Sequence, residues 1–108
     1  MKEKVLKIIN NYGVIPQLKY IQTEMFEFIE AIMILEHYEE YANDQDYQTT
    51  LKQQKLHIEE EYADLMVMLE QFHAYYDLDD MHISEVMHQK IDRQLDRIEK
   101  GEINDTKK

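Results

Sequence analysis

The sequence predicts an all-α protein, a bundle of four to five helices forming one domain. Three observations point there. The chain of 108 residues holds only two Gly and one Pro, too few turn residues for a many-stranded fold. Apolar residues recur at steps of three and four over long stretches, which is the period of a helix and not of a strand. Two of those stretches are apolar nearly all round yet contain carboxylates, as expected of helices packed on several sides with acids held among them.

The elements follow in chain order. Lys2 to about Asn11 reads as a short amphipathic helix, with Val5, Leu6, Ile8 and Ile9 apolar and Gly13 as its stop. Pro16 suits the first turn of a second helix, expected from about Pro16 to Asn43, with Leu18, Ile21, Met25, Ile29 or Phe28, Ile32 and Leu35 on its apolar face. The polar, aperiodic stretch Asn43 to Thr50 reads as a connector. A third helix is expected from about Thr50 to Tyr75, with Tyr62, Leu65, Met66 and Leu69 forming its face and Asp64 held near a packed interior. Asp77-Leu78-Asp79-Asp80 is a polar break that supplies caps for a last helix, roughly Met81 to Lys100, with Ile83, Met87, Ile91, Leu95 or Gln94, and Ile98 on one face. Gly101 ends it, so the domain is expected to cover residues 1–101 and residues 102–108 to fray.

Composition narrows the classes of function. A hydrophobic content of 44% is that of a globular chain. No run approaches the roughly 18 apolar residues of a membrane span, so no membrane partner is expected. The N-terminal segment is charged, with a short apolar face and no cleavage signature, so no signal peptide is expected. The absence of Cys excludes disulfides and thiolate metal sites and fits a cytoplasmic location. A formal charge of −11 disfavours nucleic acid as a partner and is compatible with a site loaded by cations.

The chemistry-bearing pattern is Glu24-x-x-Glu27 followed by Glu61-x-x-Asp64. One turn of helix separates the members of each pair, so both carboxylates of a pair leave one side. Two antiparallel helices crossing there would bring four carboxylates together, a cluster that cannot persist without cations. Hard oxygen donors select Mg²⁺ or Mn²⁺. The spacing itself is common in so acidic a chain: Glu36-x-x-Glu39 and Asp77-x-x-Asp80 repeat it in polar settings. The apolar setting distinguishes the two selected pairs, with two solvated helix edges as the alternative. Glu70-x-x-His73 and Glu85-x-x-His88 echo di-iron ligand spacing, but both lie outside the strongest apolar runs. Lys90, Arg93 and Arg97 form a basic row on the last helix, facing the alternative of local pairing with Asp92 and Asp96. Gln17 and Lys19 open the second helix, within reach of a base or a phosphate.

The run Thr23-Glu24-Met25-Phe26-Glu27-Phe28-Ile29-Glu30-Ala31-Ile32, followed by Glu60-Glu61-Tyr62-Ala63-Asp64-Leu65-Met66-Val67, resembles the MazG-like, all-α nucleoside triphosphate pyrophosphatase superfamily. Its hallmark is EExxE, a variable gap, then ExxD. The resemblance covers about Pro16 to Gly101 and departs at Thr23, where the family has the first Glu of its pair. It implies that Glu24, Glu27, Glu61 and Asp64 bind Mg²⁺, with Mn²⁺ as a substitute. It further implies cleavage of a nucleoside triphosphate, non-standard or deoxy, between the α- and β-phosphates to monophosphate and pyrophosphate. Glu30 or Glu60 are further candidates to orient the attacking water. The resemblance makes Lys90 and Arg93 candidates for the triphosphate, and Gln17 and Lys19 join them as substrate-binding candidates. The apolar excess of the two central helices predicts a homodimer or homotetramer. The competing reading is a non-enzymatic acidic helical module, either an interaction domain or a nucleic-acid mimic.

Overall fold

A computed structural model describes residues 1–41 and 44–101, with backbone only for 38–41 and 44–49. The described residues are all helical, without strands: α1 (Lys2–Tyr12), α2 (Val14–Tyr41), α3 (Asp44–Tyr75) and α4 (Asp80–Glu99). They fall into two compact units, Met1–Tyr76 and Asp77–Lys108.

In the first unit α2 and α3 pack along most of their length. As the α2 residue number rises through Gln17, Glu24 and Phe28, its α3 partner falls through Gln71, Asp64 and Tyr62, so the two run antiparallel. Along the inward line of α2, buried or half-buried residues are spaced in alternating steps of four and three: Gln17, Ile21, Glu24, Phe28, Ala31 and Leu35. On α3 the same alternation gives Leu51, Gln54, Ile58, Glu61, Leu65, Met68 and Phe72. This is the seam of two helices meshing side chains over several turns. Phe28 meets Tyr62 edge to face at 5.8 Å at the margin of this seam. Helix α1 packs mainly on α3, with Val5 and Ile9 buried. It stops at Gly13, whose N–H donates to the Ile9 carbonyl at 2.7 Å and whose φ of 94° a side chain would strain. Pro16 falls in the first turn of α2, where its missing N–H is harmless.

Three expectations need correcting. Helix α3 begins at Asp44, so residues 44–50 are helix and not connector. The apolar face expected on α2 is offset from the seam: Leu18, Met25, Ile29 and Ile32 are exposed, because the inward positions carry Gln17, Glu24 and Ala31 instead. On α3 Leu65 is buried as expected, but Tyr62, Met66 and Leu69 are exposed, Met68 takes the inward place, and Asp64 is exposed.

In the second unit α4 starts at the expected break. The Asp79 side chain caps it, accepting from the N–H groups of Met81 at 2.9 Å and His82 at 3.2 Å. Gly101, at φ 78°, follows its end. Residues 102–108, expected to fray, lie outside the described residues.

Candidate metal centre and adjoining groove

The seam carries polar groups where apolar ones would pack more cheaply. Glu24 on α2 and Glu61 and Asp64 on α3 each place a carboxylate oxygen within 4.8 Å of the others. Burial is graded across the three. Glu24 is only 6% exposed, Glu61 is half-buried, and Asp64 is open to solvent. Among the described residues, Glu24 Oε2 and Glu61 Oε2 are buried with no hydrogen-bond partner. A buried carboxylate oxygen left in this state is several kcal/mol worse than a satisfied one.

The Glu24 carboxyl is correspondingly hard to ionise. Burial pushes its pKa up first, and the charges of Glu27, Asp64 and Glu61 push the same way, while a hydrogen bond from Tyr20 opposes them. Tyr20, one turn before Glu24, has its own pKa raised by that hydrogen bond and by the Glu24 charge. Such mutual repulsion around orphaned oxygens is relieved by a cation. Among the described residues these are the acids that converge in this way; no His joins such a group, so the spacings Glu70-x-x-His73 and Glu85-x-x-His88 build no comparable cluster there.

Of the four expected ligands the fold brings three together. Glu27 is half-buried and close enough for its charge to act on Glu24 and Tyr20, but it is outside the convergent group. Glu60 is exposed, and Glu30 lines an apolar groove with Phe26 and Met33 on the outer face of α2. Lys19 is exposed on α2, while Lys90, Arg93 and Arg97 belong to α4 in the second unit.

Beside the acids runs a groove of about 420 Å³. Glu24 and Asp64 line its acidic part, Tyr20, Val67 and Met68 also border it, and Gln17 and Gln71 form an amide pair in its wall, with Tyr12 of α1 near them in the lining. Gln17 was legible as a candidate; Tyr20, Met68 and Gln71 were not. Their one sequence signal is register, since Tyr20 stands four residues before Glu24 and Gln71 seven after Asp64.

Comparison with protein-family models, curated proteins and solved structures finds no match. Among the described residues, no helix is long and apolar enough to cross a membrane.

Proposed function

We propose that this chain is a Mg²⁺-dependent nucleoside triphosphate pyrophosphohydrolase of the MazG-like kind, acting on deoxy or non-standard nucleotides. One observation carries the reading: a nearly fully buried Glu24 whose Oε2 has no partner, set among two further carboxylates from the neighbouring helix. The donor set is all oxygen, which suits Mg²⁺ or Mn²⁺. Glu24, Glu61 and Asp64 would hold the ion, and Glu27 adds negative charge beside them.

When bound, such an ion lowers the pKa of water and offsets charge on phosphate oxygens. The protein's own groups divide the remaining work. Tyr20 hydrogen-bonds Glu24 and so restrains the buried carboxylate. Asp64 is the exposed acid of the cluster and lines the groove, so it is the one best placed to accept a proton from an incoming water. Water oxygen bonds to the α-phosphorus, the bond from that phosphorus to the bridging oxygen breaks, and pyrophosphate leaves.

The exposed outer face of α2 supports a homo-oligomer. Phe26, Ile29, Met33 and Ile34 line an apolar groove of about 680 Å³ there, and a second copy of the chain would cover it. The test of function is a screen of ribo- and deoxynucleoside triphosphates with Mg²⁺, reading released pyrophosphate. Metal-dependent release of pyrophosphate and monophosphate is expected. No release from any nucleotide, together with no Mg²⁺-specific rise in Tm over monovalent salt at matched ionic strength, would overturn it.

A further inference from the structure

We infer that the groove beside the acids reads a nucleobase, and that it takes bases bearing an exocyclic amino group over their keto counterparts; this rests on the nucleotide reading above. The orientation of two buried amides carries the inference. Gln71, 1% exposed, donates from Nε2 to the Val67 carbonyl at 3.4 Å. Its Oε1 accepts from Gln17 Nε2 at 2.8 Å. Turning either amide over would set oxygen against oxygen, so the chain of bonds has one sense.

The sulfur of Met68 fits the same sense. It is a weak acceptor, 3.5 Å from Gln71 Nε2 and 4.0 Å from Gln17 Nε2. Gln17 Nε2 is thus turned to Gln71 and Met68, which leaves the carbonyl Oε1 as the end of the amide to meet a base. Gln17, 4% exposed, lines the groove. An acceptor fixed in this way complements the amino group of cytosine or adenine, and opposes the carbonyl oxygen of uracil or hypoxanthine.

Register places the amide pair where a base would lie. Gln17 precedes Glu24 by seven residues and Gln71 follows Asp64 by seven, so on each helix the amide stands about 10 Å from the acid at ~1.5 Å per residue. A nucleotide whose phosphates meet the acids extends its base over that span. Tyr12 and Tyr20, both exposed in the groove lining, offer ring faces for stacking. A buried amide pair is also a costly way to fill a seam that apolar side chains would fill better, unless its polarity is used.

The test compares cytidine with uridine and adenosine with inosine. Binding of the monophosphates with Mg²⁺ is measured by calorimetry, and kcat/KM of the triphosphates by pyrophosphate release. The amino member of each pair is expected to lead by about tenfold or more. Gln17→Met, which removes the acceptor and keeps the side chain's length, is expected to bring the ratio near one. Equal binding within each pair, a keto preference, or no binding of any of the four overturns the inference, while hydrolysis without base preference leaves the enzyme reading standing. Amino-selective binding without hydrolysis supports the groove and removes the enzyme reading. The wild-type comparison decides the matter even where Gln17→Met does not fold.

Discussion

The two faces of α2 are unfinished in opposite ways. Toward α3 the helix presents Gln17, Glu24 and Ala31 among larger apolar residues, so charge and amides lie inside the seam. On the outer face it presents Phe26 and Met33, each 65% exposed, with Ile29 and Ile34 beside them. The inner face has a buried oxygen without a partner among the described residues; the outer one has large apolar side chains in water. The described residues satisfy neither. On the proposed reading a cation would relieve the first and a second copy of the chain would cover the second, so they respond to different perturbations.

The largest effect is expected at the inner face. Asp64→Asn keeps the size of the side chain and removes one charge from the cluster, so Mg²⁺-dependent hydrolysis should fall about 100-fold or more. Asp64 is exposed and has repelling neighbours, so metal-free folding should be unchanged or improved. Steady-state kinetics and thermal melts check both halves. Wild-type turnover, or an unfolded metal-free variant, would make Asp64 something other than a ligand.

Next in size is the outer face. Phe26→Glu and Met33→Glu place charge on side chains already mostly in water, so a monomer should lose little by either. If copies of the chain meet there, each change should weaken association by about 30-fold or more, the loss expected of a buried anchor. Sedimentation across a concentration series reads it. A wild-type chain that stays monomeric at micromolar concentration ends the oligomer proposal and leaves the acidic site untouched.

A smaller effect reports how hard Glu24 is to ionise in the fold. Its folded pKa is raised, chiefly by burial, so the protonated form favours folding. That contribution is fully present below the ordinary carboxylate pKa and is lost as pH rises through the raised folded value. In metal-free buffer the Tm gained by Glu24→Gln over the wild type should therefore grow as pH rises across that window. A gap independent of pH would mean that Glu24 is no harder to ionise in the fold than out of it.

The smallest effect is expected on α4. Lys100 and Asp96 form a 3.0 Å ion pair, both largely exposed. Lys100→Ala should change stability by no more than about 0.5 kcal/mol and leave hydrolysis alone, which makes it the control for the changes on α2 and α3.

How much of this was legible differs by feature. The helices were, because few turn residues and a period near 3.6 fix the type of element; Gly13 and the break from Asp77 to Asp80 marked two of the ends. The start of α3 was not, because a polar stretch without apolar period looks the same whether it is loop or solvated helix. The acids of the site were legible as charges out of place in apolar runs. Their grouping was legible in part: four were expected to meet, and three converge while Glu27 stands aside.

By itself the sequence determined helical elements, an acidic chain and two carboxylate pairs in apolar surroundings. These follow from local propensity, spacing and composition, which each stretch carries alone. Only the tertiary structure decided which side of each helix turned inward. On α2 the apolar positions run nearly all round, so periodicity favours no single face, and contact with α3 chose the line through Gln17, Glu24 and Ala31. That choice buried Glu24, left Asp64 open, joined Gln17 to Gln71 across 54 residues of sequence, and turned Phe26 and Met33 to water. Each of these depends on what the opposite helix presents at the same height, which no single stretch of sequence records.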